Sequence, residues 1–171
     1  MSQDFYDLNP VGSITADAIG PPGERVFYLQ ASHEDTLVTL MLEKEQVQAL
    51  AISVEQMLEE LEKRRPQSAA EMELISQYDL VLREPIEPIF RVGQLGLGYD
   101  EDSDMLIVVA QELTDDSEEM SVVRFWATRA QMKAMSEHSL RVVDAGRPAC
   151  PLCGQPMDQD GHYCPRRNGH Q

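Results

Sequence analysis

Leu42-Glu43-Lys44-Glu45-Gln46-Val47-Gln48-Ala49-Leu50 and Ala127-Thr128-Arg129-Ala130-Gln131-Met132-Lys133-Ala134-Met135 align without a gap. Gln46 falls opposite Gln131 and Ala49 opposite Ala134, and each stretch carries a β-rich run into a helical one. Working outward, each is preceded by two further strand candidates. Before the first lie residues 11–19, which alternate loosely, and residues 25–31, rich in β-formers. Gly20-Pro21-Pro22-Gly23 between them has no helical option. A polar turn at residues 32–35 then folds residues 25–31 back on residues 36–42 as a hairpin. Before the second lie residues 90–97 and 105–110, with residues 121–127 as the third strand. Gly93, Gly96 and Gly98 suggest a bulge or a close backbone approach there.

The helices follow from spacing. Val47, Leu50, Val54, Met57, Leu58 and Leu61 form one apolar stripe. Glu59–Lys63 and Glu60–Arg64 pair on the opposite face, and Pro66 ends the helix. In the second unit Thr128 caps a helix that buries Met132, Met135 and Leu140. Ser68-x-x-Glu71 predicts a short helix to about Gln77, and residues 78–88 read as an irregular link. The fold expected is therefore α+β. Duplicated β-β-β-α units over residues 11–65 and 90–143 form a roughly six-stranded sheet with helices on one face. Residues 1–10 read as frayed, and Trp126 as a core or helix-contact residue.

A small C-terminal zinc knuckle is expected beyond this body, dividing the chain into residues 1–144 and 145–171. Every cysteine lies in it: Cys150-Pro151-Leu152-Cys153, then His162-Tyr163-Cys164. Three thiolates and an imidazole make the ligand set of a closed, structural zinc site, so Cys150, Cys153, His162 and Cys164 are the expected ligands. His170 is the poorer choice of histidine by spacing. Three cysteines do not fill a disulfide framework, and Gly154 and Pro156 stand where a redox Cys-x-x-Cys would open a helix. Asp100, Asp102 and Asp104 alternate as in a calcium loop. Met105 replaces the needed glycine and Gln111 the bidentate glutamate, which leaves an acidic turn.

The net charge is −16, from 14 basic and 30 acidic side chains. Residues 146–171 carry Arg147, Arg166 and Arg167 against Asp158 and Asp160, so the body alone stands at −17. Such a body repels nucleic acid and anionic membranes. No apolar run reaches spanning length, and the polar, acidic N-terminus does not read as a signal peptide, so a cytoplasmic protein is expected.

Residues 22–31, 42–47 and 90–93 resemble an uncharacterised bacterial family, carried as a domain of unknown function and found mainly in actinobacteria and Chloroflexi. Residues 145–154 and 161–169 look like its signature tail. The resemblance implies His162 as the histidine ligand and brings no activity.

Three functions are open to such a chain. The first is a non-catalytic adapter that binds a protein partner, since no nucleophile and base are paired in the sequence. The second is an enzyme or small-ligand binder with a polar pocket at the strand–helix junctions, built from Arg25, Glu43, Lys44, Gln46 and Arg91. Ion pairing at element ends is the plainer role for those five. The third is nucleic-acid binding through Arg147, Tyr163, Arg166 and Arg167 of the tail.

Overall fold

A computed structural model describes residues 4–67 and 73–145. The expected zinc ligands, and Ser68 and Glu71 of the expected short helix, lie outside them. The strands are β1 (Phe5–Leu8), β2 (Ser13–Ile19), β3 (Val26–His33), β4 (Thr36–Leu42), β5 (Pro88–Asp100), β6 (Met105–Glu112) and β7 (Val122–Thr128). The helices are α1 (Lys44–Arg64) and α2 (Arg129–Ala145), and a single 3-10 turn covers Gln77–Leu80. The strand–strand–strand–helix order thus occurs twice. Residues 73–76, expected to be helical, are irregular.

The sheet has seven strands in the order β1-β7-β6-β5-β4-β3-β2. Within each meander, β2-β3-β4 and β5-β6-β7, pairing is antiparallel. The two join through a parallel contact of β4 with β5. The seventh strand is β1, in the segment expected to fray, and it pairs parallel with β7 from Phe5↔Val122 to Leu8↔Phe125. Leu8 is buried, which gives this short segment a reason to be ordered. Thus β1 stands to β7 as β5 stands to β4.

The two edge strands of this order are consecutive in the chain. Between them, the Val11 N–H donates to the carbonyl of Trp126 in β7 at 2.8 Å, and the Gly12 N–H to that of Ser32 in β3 at 2.7 Å. The link thus prolongs the pairing of β1 on β7 and of β2 on β3 while it carries the chain from one edge of the sheet to the other.

Gln46 and Gln131 do the same work in each half. The Oε1 of Gln46 accepts from the Glu43 N–H at 2.8 Å, a helix-capping contact, and its Nε2 donates to the Val92 carbonyl of β5. The Oε1 of Gln131 accepts from the Thr128 N–H at 2.9 Å, and its Nε2 donates to the carbonyls of Val11 and Gly12 beyond β1. Each glutamine ties a helix start to the strand parallel to the one before it.

One face of the sheet is the core. Ile14, Ala31 and Val38 are in register on it, as are Ala16, Leu29 and Leu40 in the next row. Leu106, Val108, Ala110, Val123, Phe125 and Ala127 continue it in the second meander. Val47, Leu50 and Val54 of α1 and Met132, Met135 and Val143 of α2 close over it in a single apolar cluster. The expected pairs Lys63–Glu59 and Arg64–Glu60 lie on the exposed side of α1.

The opposite faces of the two meanders differ. On the first, the segment between α1 and β5 crosses a polar row in register, Thr15, Gln30 and Thr39. Thr15 Oγ1 donates to the Leu80 carbonyl, Gln30 Nε2 donates to the Arg83 carbonyl and to the Thr39 hydroxyl oxygen, and Gln30 Oε1 accepts from the Arg83 N–H. Buried polar side chains find their partners in the covering backbone. On the second, Gly96, Val109 and Arg124 form one row and Gly98, Ile107 and Trp126 the next. Trp126 points away from the core, because its neighbours Phe125 and Ala127 fill the core side. Its indole N–H donates to Asp7 at 2.7 Å, and the Arg124 guanidinium stands 5.0 Å from the Phe5 ring and 5.8 Å from the Trp126 ring. Of the three glycines, Gly93 makes the expected close approach, to the Leu113 backbone, at a register shift in β5. Gly96 and Gly98 face open space.

Candidate functional site

A groove of about 430 Å³ runs between α1 and the first turns of α2. Glu55, Glu59 and Glu62 of α1 share a wall because they recur at three- and four-residue steps. Glu137 and Lys133 of α2 face them, Glu73 and Gln67 stand at the end, and Leu58 and Ala130 supply apolar surface. Five carboxylates against one lysine and one arginine make this an acidic hollow.

The arginine, Arg129, is the first residue of α2, and its side chain is only 7% exposed. Its Nε and Nη2 both reach Asp104 Oδ1 at 2.9 Å. Tyr99 donates its hydroxyl hydrogen to the same oxygen at 2.5 Å, and Arg65 Nη1 donates to the Tyr99 hydroxyl at 2.9 Å. Gln67 Nε2 lies 3.4 Å from Asp104 Oδ2. Asp104 reaches this position from the β5–β6 turn in a left-handed conformation, φ 54°, which aspartate tolerates better than most residues.

The charges are set by this network. Burial alone would raise the Asp104 carboxyl. Hydrogen bonds from Tyr99 and Arg129, and the charges of Arg129 and Arg65, outweigh it and hold the group below the usual carboxylate range. Burial, and then the bond to Asp104, pushes the Tyr99 phenol up. Burial works against the Arg129 charge too, but the bonds to Tyr99 and Asp104 prevail and raise it. Arg129 is thus neutralised from behind by Asp104, which leaves the glutamates to set the potential of the groove.

The residues expected at the strand–helix junctions are elsewhere. Arg91 Nη1 pairs with Glu43 Oε1 at 2.9 Å, both sides half-exposed or more, beside the Gln46 contacts. Gln46 also borders a hollow of about 280 Å³ between α1 and β5. Lys44 opens α1 and is half-buried. Arg25 instead donates to the Val142 carbonyl near the end of α2, at 2.9 Å. So Glu43, Gln46 and Arg91 come together, while Arg25 serves the other helix.

The Arg129 network went unread in the sequence. Asp104 appears there as one of several acids in a turn, and nothing local joins it to an arginine at the next helix start. The faint signal was Asp104 directly before the β6 strand, where an αL-tolerant residue closes a turn. His33 bonds the Pro10 carbonyl at 2.7 Å and His138 bonds Asp17 at 2.8 Å, both across the fold. Among the described residues, no three His, Cys, Asp or Glu side chains are grouped to hold a metal, and no helix is long and apolar enough to cross a membrane. In the acidic turn, Asp100 Oδ2 accepts from the N–H and hydroxyl of Ser103.

A family model described as a protein of unknown function, DUF3090, matches residues 6–164. No curated protein and no solved structure matches the chain.

Proposed function

We propose, on the premise that this chain belongs to the DUF3090 family of proteins of unknown function, that it is a non-catalytic adapter. Its α1–α2 groove receives a basic segment of a protein partner. The observation that carries this reading is the composition of the groove: five glutamates around an apolar floor of Leu58 and Ala130. That arrangement suits the aliphatic stem and charged head of a lysine or arginine. The polar residues at the strand–helix junctions favour it too, since their bonds hold the scaffold. A body at −17 steers basic partners toward itself.

The tail adds a structural zinc ion held by Cys150, Cys153, His162 and Cys164. The donor set supports this: three thiolates and an imidazole satisfy a tetrahedral ion and leave no position for reacting water. The family match contains His162, ends on Cys164 and leaves His170 outside. One zinc per chain by elemental analysis, lost in Cys153→Ser, is the expected result. Metal-free protein from zinc-replete cells would overturn it.

For the adapter role, full-length protein is crosslinked in native lysate beside the Glu59→Gln/Glu62→Gln variant. The expected result is a basic partner captured in stoichiometric amount by the parent, at least tenfold less by the variant, and less again as salt rises. Equal capture by both would place recognition elsewhere.

A further inference from the structure

Ala130, Lys133 and Glu137 recur at three- and four-residue steps, so they form one ridge along α2. The acidic groove lies on the α1 side of this ridge. A second hollow, of about 310 Å³, lies on its other side against residues 73–80. The ridge and Glu73 border both, so the two hollows are neighbours divided by one row of α2 side chains.

Their compositions differ. The first is dominated by glutamate. In the second, Glu73 and Glu137 are matched by Lys133 and Arg141, while Leu74, Ile75, Leu80 and Ala134 supply apolar wall. One hollow suits a cation, and the other suits an uncharged apolar group. Leu74 is fully exposed and Tyr78 is 87% exposed. With Ile75 they put three large apolar side chains within five residues, which is more than the scattered singles of an ordinary surface. The backbone here is tied down on both sides. Glu73 accepts from the Thr128 hydroxyl before α2, Ser76 Oγ accepts from the Tyr78 N–H, and the Leu80 carbonyl accepts from Thr15.

We propose that the basic segment received by the groove continues over the α2 ridge and seats an apolar side chain against Leu74 in the second hollow. This deepens the adapter reading and rests on it. The partner's motif is then a basic residue with an aliphatic or aromatic one close by in sequence. A helix with its side chains is ~10 Å across and an extended chain advances ~3.3 Å per residue, so the two anchors stand about three residues apart. Charge selects this occupant over a second copy of the chain, whose own body at −17 would be repelled from the glutamates.

The test is fluorescence anisotropy on full-length protein with two capped, labelled octapeptides. One is Leu-Ser-Gly-Lys-Arg-Gly-Ser-Leu, which offers the spacing in either direction, and the other has serine for both leucines. The leucine peptide should bind the parent about tenfold more tightly, as for one leucine side chain leaving water. Leu74→Ser should abolish that advantage and leave the serine peptide unchanged. Ala134→Glu, which puts a carboxylate into the second hollow, should do the same and serves if Leu74→Ser does not fold. Glu59→Gln/Glu62→Gln should weaken both peptides. Equal binding of the two peptides by the parent, or a leucine advantage that survives both folded variants, would overturn this inference and leave the groove reading standing. Binding of neither peptide below about 1 mM would overturn both. So would leucine-peptide binding indifferent to Glu59→Gln/Glu62→Gln. Sedimentation showing a parent dimer that Leu74→Ser dissociates would make a second copy the cover, and would overturn this inference alone.

Discussion

Protonating Asp104 removes the acceptor shared by Tyr99 and Arg129. Its folded-state pKa lies below the ordinary value, so its contribution to stability is present above the unfolded pKa of about 3.9. It is lost as pH falls through the folded value. Tyr99 is shifted up, so its contribution is present below its ordinary pKa near 10 and fades as pH climbs past the folded value. Asp104→Asn should cost about 2 kcal/mol at pH 7, because Arg129 is left buried beside a neutral partner. It should also flatten the acid limb of a urea-midpoint profile taken from pH 7 to pH 3. An acid limb as steep as the parent's would deny Asp104 that role. Gln131→Ala should cost about 1–2 kcal/mol and Gln46→Ala less, since Gln131 is more buried and serves two carbonyls as well as its cap. Equal losses in denaturation would count against that ranking. These two glutamines were visible as a coincidence in an alignment. Their shared task was not, because the carbonyls they bond are 46 and about 120 residues away in sequence.

Among the elements, most of the strands and both helices were legible, because alternation and the 3.6-residue stripe depend only on which face is buried. Pro88–Asp100 and Met105–Glu112 run longer than expected, since their pairing continues past the apolar stretch. Strand β1 was missed for a physical reason. Its order comes from β7, which lies more than a hundred residues on, and four residues carry no usable period. Trp126 was misplaced because a large aromatic side chain reads as core, although Arg124 and Thr128 on the same face of its strand mark that face as the outward one. Leu8→Ala decides whether β1 matters: it should cost about 2–4 kcal/mol, as for a buried leucine rather than a frayed one. A midpoint shift below about 0.5 kcal/mol would mean that the strand is loosely held.

At the scale of the whole molecule, the net charge of −16 opposes compaction, and no arrangement of 14 cations can cancel it. Raising sodium chloride from ~0.02 to ~0.3 M shortens the screening length from roughly 20 Å to about 6 Å. The melting temperature should rise by a few degrees, and a fall would show that attractive pairs outweigh the excess. The candidate groove was the least legible feature at this scale, since it exists only where α1 and α2 meet.

Joining β1 to β2 through Val11 and Gly12 links the two borders of the sheet without zipping them together. Among the described strands, β1 pairs with β7 alone and β2 with β3 alone. Each border therefore keeps an outer side along which a stranger's strand can extend the ladder, and encounters by backbone pairing have two places to begin.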